Sequence, residues 1–343
     1  MELFMRDINF IIIVPVYNAV KFLERAVASV ISQKYDRRQL VLVDDGSTDG
    51  SSKLCERLSQ ENDSVHMIRQ KNMGQISARA NGIRYARIHL ETEDTFYLFL
   101  DADDAFAPDA MERISQLISE KDCDLLVFGI EQQDAAGKTD RSMLGTFEGT
   151  VESRAELYRI VLFDYRYNSL CRKAVSASLI PDKDYADLYD FRHGEDLLQS
   201  YDYYKSSKKA VFTREIFYIY YTNEASVTNS LSADSFQYGS QVRSAIWDAV
   251  AAENVWTEND LKKYSEYNCR LLRNKIMALC VTDASIKEIV PVLECMKEDS
   301  FYQRIVAENN SYDRIIKLFY QGKYRELIRY IRLRVRMIRL LGK

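Results

Sequence analysis

Leu40-Val41-Leu42-Val43-Asp44-Asp45-Gly46-Ser47-Thr48-Asp49 is an aliphatic run that ends abruptly in two adjacent carboxylates and a glycine. Consecutive apolar residues with β-branching, bounded by a turn signal, predict a short strand covered on both faces. Neighbouring carboxylates repel one another and resist desolvation. A chain that keeps them at a strand exit uses them for a ligand, a cation or a helix cap. A second acidic cluster, Asp101-Ala102-Asp103-Asp104, follows the apolar run Phe96 to Leu100. In open α/β sheets, ligands bind at the carboxyl ends of the strands, so the two clusters predict one acidic ligand-binding rim.

Working outward, the same alternation recurs. Phe10 to Val16, Leu40 to Val43, Val65 to Ile68, Phe96 to Leu100 and Leu125 to Ile130 read as strands. Between them Ala19 to Gln33, a segment ending at Leu58 and capped by Ser47 or Thr48, Gly74 to Ile88, and a segment from Pro108 to Ile118 read as helices. Strands alternating with helices predict an α/β fold with a mostly parallel sheet and right-handed crossovers. Ala135 to Thr150 is more polar and is expected to form a hairpin or loop excursion. Beyond about Phe236 the spacing is helical, over 245–255, 261–281, 286–296 and 302–320. The expected division is 1–230 for the α/β domain and 231–343 for a helical C-terminal region.

Composition narrows the function classes. The 343 residues are 47% apolar and 29% charged, ordinary for a globular protein, with a net charge of −4. That charge gives no nucleic-acid footprint. Six cysteines without a CxxC pair, and no basic n-region before an apolar run at Met1-Glu2-Leu3, predict reduced thiols in a cytoplasmic protein. No apolar run is long enough to span a bilayer.

Three segments fall at strand exits: Pro15-Val16-Tyr17-Asn18, Asp44-Asp45-Gly46-Ser47 and Asp101-Ala102-Asp103-Asp104. Tyr17 offers a flat face for a base or sugar, and the alternative for its segment is a plain turn. Asp45 can accept from a base N–H or a ribose hydroxyl, and the alternative is helix capping. Asp101 and Asp103, two apart on an extended segment, point the same way. They can hold Mg²⁺ or Mn²⁺ through hard oxygen ligands, leaving positions for diphosphate oxygens; the alternative is a solvated turn. A calcium loop is excluded because Ala105 and Phe106 stand at its fifth and sixth positions. Asn72-Met73-Gly74 opens a helix carrying Arg79, which reads as a base or phosphate contact or as a surface arginine. In Gly194-Glu195-Asp196 the acids are either first-turn helix residues or a carboxylate base aimed into the cleft; His193 beside them reads most simply as a surface residue.

Taken in order, Val14-Pro15-Val16-Tyr17-Asn18, Val43-Asp44-Asp45-Gly46-Ser47-Thr48-Asp49, Asn72-x-Gly74 with Arg79, Asp101-x-Asp103-Asp104 and Gly194-Glu195-Asp196 resemble the family 2 glycosyltransferases, which share the GT-A fold. Tyr220-Tyr221-Thr222 and Ser226-Val227-Thr228 extend the resemblance, which covers about residues 8 to 230. It implies an inverting transferase that moves one sugar from a UDP-sugar to a hydroxyl of a glycan or lipid-linked acceptor in surface polysaccharide synthesis. By the same resemblance Pro15, Tyr17, Asp45, Asn72, Gly74 and Arg79 hold the nucleotide. Asp101 serves ribose and metal, Asp103 ligates Mn²⁺ or Mg²⁺, and Asp196 is the general base. Ala80 departs from the family, which commonly has asparagine there. The Gln-x-x-Arg-Trp motif of processive members is absent. The alternative from another class is a non-catalytic nucleotide-sugar-binding or membrane-scaffold protein on this fold. A sugar nucleotidyltransferase is disfavoured because Val16-Tyr17-Asn18-Ala19 contains no glycine. Self-association is compatible with the sequence.

The last twenty-one residues stand apart. From Lys323 to Lys343 eight basic residues face one acid, Glu326, a net +7 that leaves −11 on the remainder of the chain. On a helix, Arg325, Arg329, Arg332, Arg336, Arg339 and Lys343 fall within about 80°. Leu327, Tyr330, Ile331, Leu333, Met337, Ile338, Leu340 and Leu341 cover the rest. Such a helix suits an anionic membrane surface and a peripheral location at the inner face of the plasma membrane; the alternative is a helix packed on its own protein.

Overall fold

The computed structural model describes residues 6–182, 194–222, 233–309 and 313–340. The chain divides into two compact units, Met1–Ser226 and Val227–Lys343. His193, Ser226-Val227-Thr228, the Arg339 side chain and residues 341–343 lie outside what is described.

The first unit runs β1 (Asn9–Val16), α1 (Leu23–Ile31), β2 (Arg38–Asp44), α2 (Ser51–Glu61), β3 (Val65–Arg69), α3 (Gln75–His89) and β4 (Thr95–Phe99). It continues with β5 (Ala105–Phe106), α4 (Ala110–Lys121), β6 (Leu125–Gln133), β7 (Thr139–Asp140), β8 (Gly149–Val151), α5 (Arg154–Val161), β9 (Lys173–Ser176), α6 (Glu195–Ser206) and β10 (Ala210–Tyr221). The strands form one sheet in the order β3-β2-β1-β4-β9-β6-β10-β5, with β7 on β6 and β8 on β10. β1, β2, β3 and β4 pair in parallel. Ile11, Ile12, Ile13, Val41, Leu42 and Val43 are fully buried, because helices cover both faces of this half. α3 lies so close to the sheet that a Cβ at Gly82 would stand 2.8 Å from Ile13 Cγ2 and 3.0 Å from Val43 Cγ2.

The sheet is mostly parallel, β6 and β10 included, with antiparallel strands inserted in it. β9 is antiparallel to both β4 and β6. It has four residues, begins on a lysine and is reached through two 3-10 turns, so no crossover helix announces it in the sequence. Two local expectations also shift. α2 begins at Ser51 after Gly50, not at a cap on Ser47 or Thr48. Those residues brace the β1 exit instead: Ser47 Oγ accepts from Asn18 N (3.1 Å) and Thr48 N donates to Asn18 Oδ1 (2.8 Å). Pro108 lies just outside α4, whose first residue is Ala110.

The second unit is helical in its described residues: α7 (Ala233–Glu253), α8 (Glu258–Cys280), α9 (Ile286–Lys297), α10 (Ser300–Glu308), α11 (Arg314–Tyr320) and α12 (Tyr324–Leu340). Leu272, Ile276, Ile289, Leu293, Ile305 and Phe319 form its core with Leu327, Ile328 and Ile331. Thr257 with Asp260 and Ser285 with Glu288 form capping boxes that fix where α8 and α9 begin. The single helix expected over 302–320 is two helices, with the α10 C-cap at Asn309 and the α11 N-cap at Asp313.

The C-terminal helix departs from the expected basic stripe. Leu327 and Ile331, which the helical spacing places on the apolar side, are core residues of the C-terminal unit, so that side packs on the protein itself. Arg332, expected in the stripe, turns inward and donates to the carbonyls of Cys280 (2.9 Å), Thr282 (3.1 Å) and Ala284 (2.8 Å). It thereby supplies donors to the last carbonyl of α8 and to two carbonyls of the connection that follows. Among the described residues, no helix is long and apolar enough to cross a membrane.

Candidate active site

Gly46 turns the chain out of β2 at a φ of +74°. A Cβ there would stand 2.9 Å from Asn72 N, so only glycine lets the 72–74 loop close over the strand end. Asp45, 4% exposed, pins that loop. Its Oδ1 accepts from Gln70 Nε2 (2.7 Å) and Met73 N (2.8 Å), and its Oδ2 accepts from Gly74 N (2.9 Å). Asn81 in turn donates to Gln70 Oε1 (2.5 Å). Asp44 is fully buried, accepts from Ser47 N (3.0 Å) and faces Arg69 at 3.3 Å. Tyr17, just past β1, is 52% exposed, and Pro15 lies within β1 opposite Val43.

Arg79 is not a surface residue. It is 1% exposed on the sheet-facing side of α3, where Ser77, Ala78 and Gly82 permit close packing. Its Nη1 donates to Asp196 Oδ1 at 2.6 Å and its Nη2 to Asp101 Oδ1 at 3.1 Å. Burial alone would lower its pKa, yet Asp196 and Asp101 together raise it above the ordinary arginine value. One guanidinium therefore joins the exit of β4 to the first turn of α6. Asp196 Oδ2 accepts from Leu170 N at 3.4 Å, and the Asp101 and Asp196 side chains are 32% and 26% exposed.

The acidic cluster is braced from behind. Asp101 Oδ1 also accepts from Gln75 Nε2 (2.8 Å), and Asp101 N donates to Tyr218 Oη (3.2 Å). Tyr218 Oη donates to the buried Asp104 (2.7 Å), whose other oxygen accepts from Tyr221 N (2.9 Å). Arg25 lies 3.6 Å from the Tyr221 ring centroid and donates to the Asp103 carbonyl. Burial and the charges of Asp101 and Asp103 push Asp104 up to about 8. Burial and Asp196 push Glu195 up to about 7. Burial raises Asp101 as well, Arg79 opposing and Asp196 and Asp103 reinforcing. Several carboxyl groups thus crowd around the Arg79 guanidinium, and their mutual repulsion and burial favour the protonated form of some of them.

Asp103 and Asp101 are hard oxygen donors at a partly exposed strand end. Among the described residues no group of three or more His, Cys, Asp or Glu could hold a metal alone. A cation shared between one or two carboxylates and substrate phosphates does not need such a group, so this donor set fits one.

Gln70, Gln75, Asp104 and Tyr218 carry this framework and were not read from sequence as site residues. The glutamines flanking Gly74 and the tyrosine two residues before Tyr220 were the available signals.

Residues 11–179 match the model of glycosyl transferase family 2. Glycosyltransferase GlyG of Streptococcus pneumoniae serotype 4 is 25% identical over 221 residues, 63% of this chain and 71% of that protein. The minor teichoic acid biosynthesis protein GgaA of Bacillus subtilis is 31% identical over 109 residues, 31% of this chain and 24% of that protein. Among solved structures, S. aureus TarS 1-349 in complex with UDP-GlcNAc superposes with a TM-score of 0.67 at 18% identity, over 96% of this chain and 92% of that one. At that identity the likeness is one of fold.

Proposed function

Because this chain belongs to the family 2 glycosyltransferases, we propose that it transfers one sugar from a UDP-sugar, with inversion, to a hydroxyl of a glycan or lipid-linked acceptor in surface polysaccharide synthesis. The observation that carries the reading is Arg79, buried and bonded at once to Asp101 and Asp196. A fully buried arginine joining a strand-exit carboxylate to a helix-start carboxylate organises a reaction centre.

Pro15, Tyr17, Asn72 and Gly74 form the uridine side, with Tyr17 stacking on the base. Asp45 shapes that wall through the three N–H groups it accepts. Asp101, fixed by Gln75 and Arg79, meets the ribose. Asp103, with Asp101, is the place for Mn²⁺ or Mg²⁺. When bound, the cation neutralises charge on the departing diphosphate. Asp196 takes the proton from the acceptor hydroxyl as that oxygen attacks the anomeric carbon, and the bond to UDP breaks on the opposite face. Arg79 holds Asp196 Oδ1 at 2.6 Å, whereas Oδ2 takes the longer 3.4 Å contact from Leu170 N, so Oδ2 is the oxygen assigned to receive the proton.

GgaA's name refers to teichoic acid synthesis and TarS was solved with UDP-GlcNAc; both support the choice of donor and acceptor class. UDP release measured with UDP-Glc, UDP-Gal, UDP-GlcNAc and UDP-GalNAc in the presence of Mn²⁺ tests the reading. Release from one donor, abolished in Asp103→Ala, is expected. No release from any donor, or full activity of the wild type in excess EDTA, would overturn it.

A further inference from the structure

α12 outruns the core it packs on. Tyr324, Leu327, Ile328 and Ile331 are buried in the C-terminal unit, but the next turns carry Leu333 at 65%, Met337 at 54% and Ile338 at 43% exposure. At about 100° per residue, Leu333 and Met337 lie within roughly 40° of each other, on the side away from Leu327, Ile328 and Ile331. Isolated exposed apolar residues are ordinary, whereas Leu333 and Met337 are neighbours one turn apart on one exposed face; Ile338 lies about 100° beyond Met337, toward the core side. On a different side of α12, Val281, 41% exposed, lines a cleft of about 400 Å3 with Thr282, Asp283, Arg332, Val335 and Arg336.

The charge along this helix is predominantly positive. Arg325, Arg329, Arg334 and Arg336 are exposed along α12. Its single acid, Glu326, faces Arg314 at 3.4 Å, and Asp283 is the only acid of the cleft lining. The segment 323–343 carries +7 while the remainder carries −11. A negatively charged surface would therefore repel most of the molecule and attract this end. Apolar side chains flanked by arginines on an exposed helix match a lipid interface, where the apolar residues enter the acyl boundary and the guanidiniums meet phosphates.

We propose that the C-terminal half of α12 docks the protein on an anionic lipid bilayer through Leu333 and Met337, inserted between Arg329 and Arg336 on one flank and Arg334 on the other. The core-packed first half of α12 and Arg332, bonded to the carbonyls of Cys280, Thr282 and Ala284, hold the helix on the protein while its outer face meets the lipid.

The test is flotation of the full-length protein with vesicles of phosphatidylcholine alone or mixed with phosphatidylglycerol, with mass in solution measured by light scattering. Binding is expected only with phosphatidylglycerol, weakening as salt rises. Leu333→Glu with Met337→Glu should reduce partitioning at least about tenfold, since each loses an apolar side chain from the interface. Arg334→Ser with Arg336→Ser should reduce it roughly thirtyfold. All four positions are exposed, and circular dichroism checks that each variant stays folded. The proposal is overturned if the wild type ignores both vesicles, binds them equally, or is matched by both double variants. It is also overturned if the wild type is a dimer that Leu333→Glu with Met337→Glu dissociates without any vesicle binding, which would assign the patch to a second copy. None of these outcomes depends on transfer activity.

Discussion

Replacing Arg79 by methionine removes the cation joining Asp101 to Asp196 while keeping a long apolar stem. Breaking a buried ion pair by deleting one partner costs about 3–5 kcal/mol, because it strands the other charge. Here the stranded carboxylates are 32% and 26% exposed, so water recovers part of their solvation. The Arg79 Nε–H is itself buried without an acceptor, a defect that the substitution relieves. The loss should therefore be about 2–3 kcal/mol. Arg79→Lys keeps the charge but cannot bridge both carboxylates with a planar fork, and should lose about half as much. Both tryptophans, Trp247 and Trp256, lie in the C-terminal unit. Urea unfolding should therefore be followed by far-ultraviolet circular dichroism or by hydrogen exchange at α3 and β4, not by tryptophan emission. UDP affinity measured on the same variants should weaken in the order wild type, lysine, methionine. An Arg79→Met protein within about 0.5 kcal/mol of wild type, with unchanged UDP affinity, would refute the reasoning.

Gly82→Ala should destabilise the first unit by about 1–3 kcal/mol, because the new methyl meets Ile13 and Val43 at 2.8 and 3.0 Å, as chemical denaturation would show. Tyr218→Phe removes the hydroxyl linking Asp101 N to Asp104 and should lower kcat/KM about tenfold, with a stability loss of about 1–2 kcal/mol. Burial and Arg243 push Lys275 down to about 8. Its folded-state pKa lies below its unfolded value of 10.5, so folding there favours the neutral amine. Its unfavourable contribution is felt at neutral pH and relieved as pH rises from about 8 to 10.5. Lys275→Met should accordingly stabilise the C-terminal unit by about 1–2 kcal/mol at pH 7, with the gain shrinking toward pH 10, readable in tryptophan-detected melts.

The parts of the fold that were legible share one physical property. β1, β2, β4 and β6 are covered on both faces, so burial writes them as unbroken aliphatic runs. β9 escaped because it is four residues long and starts on Lys173, whose ammonium is buried and bonded to the carbonyls of Tyr167 and Ser169. No periodicity marks a strand whose charge is satisfied by its own local backbone. At the site, Asp45, Asp101, Asp103 and Asp196 could be singled out because carboxylates at strand exits and helix starts are conspicuous. The partners they take were not legible. Asp45 serves backbone amides of the 72–74 loop, and Arg79 is buried by the small residues beside it, Ser77, Ala78 and Gly82. These are long-range pairings, such as Arg79 with Asp196, that only the folded chain creates. Arg332 makes the same point at the C-terminus: helical spacing put it with the outward arginines, and the carbonyls at and just past the end of α8 drew it inward.

The most direct test is Asp196→Asn, assayed for transfer from the donor the wild type uses and for UDP binding by calorimetry. Asp101 still pairs with Arg79 in that variant, so the nucleotide side keeps its anchor. The account predicts transfer reduced by a factor of about 10²–10⁴ with UDP affinity nearly unchanged. Transfer at the wild-type rate, or UDP binding lost in step with transfer, would contradict it.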